Sequence, residues 1–100
     1  MIVIQGYLDI DPQDADAFVA LVLPLQRASL AEPGCISYQF SRDLEVDGRF
    51  RVAECWESDD ALKVHFTTKD MAAFRAGMKN LRRSGAEVWK HTATERNRMA

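Results

Sequence analysis

The sequence predicts an α+β fold, a ferredoxin-like βαββαβ domain in which helices cover one face of an antiparallel sheet. Four segments alternate apolar and polar residues as strands do, and helical segments separate the first from the second and the third from the fourth. A short polar loop with a glycine joins the two middle strands, which is typical of a hairpin. The chain has 100 residues, 47% hydrophobic and 28% charged, a balance typical of one globular domain.

The first strand is predicted over residues 2–10, where apolar side chains recur at alternate positions. A helix follows at Asp11-Pro12, because aspartate is a good N-cap and proline suits the first helical position. Its core-facing side is predicted to comprise Phe18, Val19, Val22, Leu25 and Ser29. Pro24 lies within this pattern and is expected to kink or split the helix. The segment 32–34 ends it.

The second half of the chain alternates in the same manner. In order, it contains a strand over 35–42, a hairpin loop over 43–48, a strand over 49–56, helices over 59–67 and 70–83, and a strand over 85–95. Ser58 is a typical N-cap for the first of these helices. The second has its apolar stripe at Met71, Phe74, Met78 and Leu81. The predicted domain therefore covers residues 1–100, with 95–100 as a charged tail.

The sheet face that the helices leave open also carries apolar residues, so it too needs cover. A domain of this size buries only about 60–65% of the surface that its unfolded chain exposes. A second sheet packed against the first would supply further burial. We therefore expect a homodimer, a dimeric α+β barrel formed by two copies of the chain.

Charge and composition argue against several classes of function. The formal net charge of -2 gives no support for nucleic-acid binding, and no apolar run approaches the roughly 20 residues of a membrane span. The N-terminus lacks the basic start and cleavage site of a secretory signal. The two cysteines, Cys35 and Cys55, form neither a disulfide framework nor a zinc-binding pattern. We expect a soluble cytoplasmic protein with reduced thiols, no membrane contact and no bound metal.

Glu54 is unusual for the interior of a strand, because it shares a face with Val52 and Trp56. A buried carboxylate must find a partner or raise its pKa. In the functional interpretation, Glu54 orients a catalytic group or a substrate hydroxyl. In the structural interpretation, it pairs with an arginine or with backbone N–H groups.

Aromatic side chains on the hairpin and on the following helix are candidates for the walls of a flat pocket. Trp56 and Tyr38 suit this role best, since their polar tips need partners when buried. Phe66 and Phe40 are further candidates for substrate contact, although Phe40 fits the core better. Met71 is also a candidate, but a methionine in an apolar helix stripe more often fills the core.

Three stretches of the chain resemble the antibiotic biosynthesis monooxygenase family. They contain, in order, E-P-G-C-x-x-Y over 32–38, E-x-W over 54–56 and A-L-x-x-H over 61–65, and the resemblance extends over about residues 1–95. Characterised members of this family are dimers that oxygenate quinol-like or polycyclic phenolic compounds without flavin, haem or metal. The resemblance therefore implies a small aromatic substrate, O2 and no cofactor.

His65 matches the histidine of the family's A-L-x-x-H motif and is the first candidate for a catalytic residue. An imidazole titrates near neutral pH and can take the proton of a phenol. The phenolate is electron-rich enough to transfer an electron to O2, so that the substrate replaces a cofactor. With Glu54, His65 forms the predicted catalytic pair. The alternative is a structural histidine that hydrogen-bonds a strand or the partner subunit.

Two other functions fit the same resemblance. A haem-degrading branch of the superfamily uses a tryptophan, a histidine and a first-strand asparagine, but residues 2–10 contain no asparagine. The fold can also bind a small ligand without catalysis, since fold does not determine function. A histidine engaged in a protein hydrogen bond, away from any ligand pocket, would favour the non-catalytic module.

Overall fold

A computed structural model describes residues 1–100 as one antiparallel four-stranded sheet with helices on one of its faces. In chain order, the elements are β1 (Ile2–Ile10), a 3-10 turn (Pro12–Asp14), α1 (Ala15–Leu30), β2 (Cys35–Arg42), β3 (Arg49–Trp56), α2 (Asp59–Phe66), α3 (Lys69–Met78) and β4 (Arg83–Thr92). The strand order β2-β3-β1-β4 is that of a ferredoxin-like sheet. The predicted α+β fold class is therefore confirmed.

The sheet register places the candidate residues of the hairpin on its helix-covered face. Glu54 on β3 lies between Tyr38 on β2 and Ile4 on β1, so these three residues form one row across the sheet. Trp56 lies two residues further along β3, opposite Ile2. Because side chains alternate between faces, Glu54 and Trp56 both point towards the helices.

The first helix follows the predicted pattern, except at its start and at its proline. Asp11 and Pro12 begin a 3-10 turn, and α1 itself begins at Ala15. The buried residues of α1 include Phe18, Val22, Leu25 and Ser29, as the spacing predicts. The helix is not split, because it continues through Pro24 as one element. Because proline has no backbone N–H, the carbonyl of Ala20 lacks its usual hydrogen bond from residue 24. Ala20 and Pro24 both lie on the exposed side of α1. Water can therefore satisfy that carbonyl.

The predicted bounds of the last helix and the last strand were wrong by several residues. The helix predicted to reach residue 83 ends at Met78, and β4 begins at Arg83. Arg82 explains the difference, because its backbone N–H donates to the Asp14 carboxylate at 2.9 Å and its carbonyl accepts from Asp11 N at 2.8 Å. These bonds take the backbone of Arg82 out of a helix.

The core lies between α1, α3 and the strands β1, β2 and β3. The largest fully buried side chains are Trp56, Phe18, His65 and Ser29. In contrast, every residue of β4 is exposed, because this edge strand lies beyond the helices. No helix of the chain is both long enough and apolar enough to cross a lipid bilayer.

Candidate functional site

His65 lies on the buried side of α2, which is a short and well-capped helix. Ser58 Oγ accepts a hydrogen bond from Ala61 N at 3.1 Å, so the predicted N-cap is present. One helical turn separates Leu62 from His65, and both face the core. Only 1% of His65 is exposed, although an imidazole is polar. Such a group needs hydrogen-bond partners in the protein.

The partner of His65 is Glu32, in the loop between α1 and β2. His65 Nδ1 and Glu32 Oε2 are 2.8 Å apart. Gly34 allows the loop to approach α2 closely, since a Cβ at this position would lie 2.6 Å from Ala61 Cβ. The positive φ of Gly34, 83°, also favours glycine. The loop is thereby packed against α2, with Glu32 beside the imidazole.

The second carboxylate oxygen of Glu32, Oε1, and the second ring nitrogen of His65, Nε2, have different surroundings. Among buried side-chain nitrogen and oxygen atoms, Glu32 Oε1 alone has no hydrogen-bond partner. His65 Nε2 forms no hydrogen bond with the protein and is not among these fully buried atoms, so it keeps a small contact with solvent. Nε2 is therefore the ring nitrogen that is free to accept a proton from outside the protein.

Three aromatic rings surround the imidazole, all of them predicted site residues. The ring centroid of His65 is 4.7 Å from that of Trp56 and 5.5 Å from those of Tyr38 and Phe66. Trp56 and Tyr38 are buried, whereas 48% of Phe66 is exposed. The site is therefore closed by buried rings on the inside and by one half-exposed ring at the surface.

Glu54 reaches this cluster through the indole of Trp56. Trp56 Nε1 donates to Glu54 Oε1 at 2.9 Å, which is neither the arginine nor the backbone N–H that the structural interpretation proposed. Burial raises the pKa of Glu54, and the hydrogen bond from Trp56 opposes this shift, as does a positive charge on His65 when the imidazole is protonated. Glu54 and His65 therefore share one electrostatic environment, with Trp56 between them and no hydrogen bond to join them.

Two neighbouring groups are held in their neutral forms. Burial raises the pKa of Tyr38, and the charge of Glu54 adds to the effect. Burial also raises the pKa of Cys35 to about 11, with further contributions from Glu32 and Glu54. Since a thiolate is the reactive form, Cys35 is not an activated nucleophile. No group of three histidine, cysteine, aspartate or glutamate side chains is arranged to hold a metal ion.

Two predicted substrate contacts pack in the hydrophobic core or at its border. The ring of Phe40 packs edge-on against Phe18 with centroids 5.8 Å apart, and both belong to the hydrophobic core or its border. Met71 is 9% exposed and is also part of this core. These positions agree with the alternative interpretation of both residues as core.

The enclosed aromatic pocket expected from the sequence is not open in this structure. None of the five principal cavities is lined by His65, Trp56 or Tyr38. The nearest is a shallow hollow of about 620 Å³ lined by Glu32, Pro33, Gly34, Glu57, Asp60, Ala61, Val64 and Thr68. It lies over the loop and helix that carry the hydrogen-bonded pair. The aromatic rings themselves pack on the imidazole.

Glu32 is the residue that sequence reasoning missed. Proline and glycine make the segment 32–34 typical of the end of a helix, so this pattern does not point to Glu32 as the partner of the imidazole. The signal that was available is the glutamate that begins the E-P-G-C-x-x-Y motif. Glu32 begins a loop that packs against α2, which makes it a candidate partner for His65, the buried polar residue of that helix.

Comparison with known proteins identifies relatives over most of the chain. The family model "Antibiotic biosynthesis monooxygenase" matches residues 1–77. "Uncharacterized protein sll1783" from Synechocystis sp. is 34% identical over 87 residues, which are 87% of this chain but only 59% of that protein. This chain thus spans less than two thirds of that relative. "Putative monooxygenase YcnE" from Bacillus subtilis is 27% identical over 95% of this chain and 100% of that protein.

Solved structures share the fold along nearly the whole chain. The crystal structure of "a putative antibiotic biosynthesis monooxygenase" from Caulobacter crescentus CB15 is 31% identical, with a TM-score of 0.85 over 94% of this chain and 90% of that chain. The structure described in the same words from Deinococcus radiodurans is 23% identical, with a TM-score of 0.89 over 100% and 99% of the two chains. The second similarity concerns the fold alone.

Proposed function

The chain belongs to the antibiotic biosynthesis monooxygenase family, and from this premise we propose that it is a cofactor-independent monooxygenase that oxidises a quinol or phenolic ring with O2. One observation carries the proposal. His65 is buried among aromatic rings, its Nδ1 is bonded to Glu32 at 2.8 Å, and its Nε2 has no partner in the protein. A base of this kind is suited to the proton of an aromatic hydroxyl.

In the proposed reaction, Nε2 of His65 takes the proton of a phenolic hydroxyl. The phenolate transfers one electron to O2, and the resulting radical pair combines at a ring carbon to form a peroxide anion. This anion takes the proton back from His65 and becomes a hydroperoxide. Loss of water then leaves a quinone. One oxygen atom enters the ring, the other leaves as water, and the four electrons required come from the substrate. A phenol and O2 thus give a quinone and water, with no external reductant.

Access of the substrate requires a change at the surface of the aromatic cluster. Phe66 is its half-exposed member and lies at the end of α2, with its ring centroid 5.5 Å from that of His65. Rotation of this ring would uncover the imidazole without moving the buried core. Trp56 and Tyr38 would then form the walls that orient the substrate and exclude water.

Oxygen uptake tests the proposal, with the second histidine of the chain as a control. Purified protein is incubated under air with a panel of hydroquinones and polycyclic phenols. His65→Gln is expected to lower turnover by about 100-fold or more, as is typical for loss of a general base. His91→Gln, on the exposed strand β4, is expected to leave it unchanged. Uptake no faster than that of buffer, or equal turnover in both variants, would contradict the proposal.

The second candidate function is binding of a small ligand without turnover. It is favoured by the position of His65, which is hydrogen-bonded to Glu32 and lines none of the five principal cavities, while the open hollow of about 620 Å³ lies outside the aromatic rings. Titration with the same aromatic compounds under nitrogen distinguishes the two candidates. Binding that is unaffected by His65→Gln, with no oxygen uptake under air, would favour the binding module.

We also propose that the chain acts as a cytoplasmic homodimer, paired through the sheet face opposite the helices. Support comes from Trp89 on β4, which is 58% exposed and pairs with Gln5 on the face opposite the helices, and from the two free cysteines, which suit a reducing compartment. Trp89→Glu is expected to yield monomers in sedimentation analysis. Val64→Glu, at an exposed apolar position on α2, is the control and should leave the assembly unchanged. A monomeric wild-type protein would contradict this part of the proposal.

A further inference from the structure

The carboxylate of Glu32 has an unusual set of partners. Its Oε2 contacts His65 Nδ1, and its Oε1 is buried without any hydrogen bond. The side chain is only 16% exposed and forms no ion pair with a lysine or an arginine. Every hydrogen bond of this carboxylate therefore goes to one ring nitrogen.

This arrangement is costly for a residue that only holds a loop. Burial of a carboxylate costs free energy of desolvation unless cations or several N–H groups compensate for it, whereas Glu32 contacts one imidazole nitrogen and no lysine or arginine. The loop is already held in other ways, since Glu57 N donates to the Gly34 carbonyl at 2.8 Å and Cys35 N donates to the Glu32 carbonyl at 3.1 Å. The charge of Glu32 therefore requires a reason outside the packing of the loop.

We infer that Glu32 is a positioning residue, which holds the proton of neutral His65 on Nδ1 and thereby keeps Nε2 as the proton acceptor. The inference rests on the function proposed above, in which Nε2 takes a phenolic proton. A carboxylate accepts hydrogen bonds and cannot donate them, so the nitrogen that faces it must carry the proton. When Nε2 takes the second proton, the carboxylate lies beside the new positive charge and stabilises it, without itself becoming protonated.

The surroundings of the imidazole leave this role to Glu32 alone. The aromatic rings whose centroids lie within 6 Å of that of the imidazole are those of Trp56, Tyr38 and Phe66. The indole N–H of Trp56 is already committed to Glu54. No hydrogen bond with Nδ1 other than that of Glu32 is present.

The tautomer of His65 can be measured by nitrogen NMR, which does not depend on activity. In wild-type protein, at a pH where the imidazole is neutral, the proton is expected on Nδ1. In Glu32→Ala it is expected to move to Nε2, the form that free imidazole side chains favour in water. In Glu32→Gln, the amide oxygen can still accept from Nδ1, so the proton is expected to remain there.

Activity gives the second measurement. Glu32→Gln removes the charge and keeps the hydrogen bond, so kcat is expected to fall about 10–100-fold with little change in KM. Glu45→Gln is the matched control, since Glu45 is exposed on the hairpin loop and lines none of the five principal cavities. It should change neither kcat nor the tautomer.

The results distinguish failure of this inference from failure of the proposed function. A proton on Nε2 in wild-type protein would overturn the positioning role of Glu32, and unchanged kcat in Glu32→Gln would overturn its stabilisation of the positive charge on His65. Should wild-type protein oxidise none of the quinols, the proposed function fails, and the wild-type tautomer still decides whether Glu32 positions the imidazole. If Glu32→Ala does not fold, the nitrogen NMR spectrum of wild-type protein still shows which ring nitrogen of His65 carries the proton.

Discussion

Two tryptophans of this chain make the same hydrogen bond in opposite environments. Trp56 Nε1 donates to Glu54 at 2.9 Å, and Trp89 Nε1 donates to Glu87 at 3.1 Å. In both cases the glutamate precedes the tryptophan by two residues on a strand. Trp56 is fully buried, however, whereas 58% of Trp89 is exposed. Replacing each by phenylalanine therefore compares the buried pair of the candidate site with an exposed pair of identical chemistry.

The magnitudes follow from burial. In Trp56→Phe, loss of a hydrogen bond to a carboxylate costs about 1.5–3 kcal/mol. The cavity left by the smaller ring adds about 1 kcal/mol. We expect the free energy of unfolding to fall by about 3 kcal/mol, which for a chain of 100 residues lowers Tm by about 12–20 °C. Trp89→Phe should cost about 0.5 kcal/mol or less, because water replaces an exposed partner.

Urea denaturation monitored by circular dichroism measures both losses. The titrations should be carried out at two protein concentrations, because Trp89 lies on the proposed dimer face and dimerisation makes the midpoint depend on concentration. Comparison at each concentration separates an effect on association from an effect on the folded chain. Losses of equal size for the two variants at both concentrations would refute the conclusion that the Trp56–Glu54 bond is a buried element of the site.

Two further predictions concern the residues that shape the site. Gly34→Ala places a Cβ against Ala61 and puts alanine at a positive φ. Urea denaturation should show that the free energy of unfolding falls by about 1–2 kcal/mol from the backbone conformation alone. Gly85→Ala should cost far less, because a Cβ at that position meets nothing within 4 Å. Glu54→Gln should change the pH dependence of stability. Because burial raises the pKa of Glu54 above its ordinary 4.5, the folded state binds this proton more tightly than the unfolded chain. Its contribution is fully present below pH 4.5 and is lost as the pH rises through the raised pKa. Denaturation at pH 4 and pH 7 should therefore show wild type losing stability relative to Glu54→Gln at the higher pH, and a constant difference would contradict the assignment.

Local patterns were sufficient to predict most of the fold. Alternation of apolar residues predicted the strands, and the cap at Ser58 marked the start of α2, because both depend on neighbours in the chain. Asp11 caps the 3-10 turn that precedes α1. The end of α3 was not predictable in this way. It depends on Arg82, whose backbone bonds reach Asp14, 68 residues away in sequence. A local pattern contains no information about such a contact.

Only part of the candidate site could be predicted, because the rest depends on contacts between residues that are far apart in the sequence. Trp56, Tyr38 and Phe66 do surround His65, as the aromatic residues near the motif histidine indicated. The bond to Glu32 spans 33 residues and depends on the approach of a loop to α2. The closure of the rings over the imidazole depends on side-chain packing, which periodicity does not describe.

Isotope labelling of the product tests the central claim most directly. Wild-type protein and an oxidisable phenol are incubated under ¹⁸O2, the reaction is quenched promptly, and the mass of the product is measured by mass spectrometry. The account predicts a quinone that contains one labelled oxygen atom, with the second label in water, and no such product from His65→Gln. A quinone without label, or labelled quinone formed equally well by His65→Gln, would contradict it.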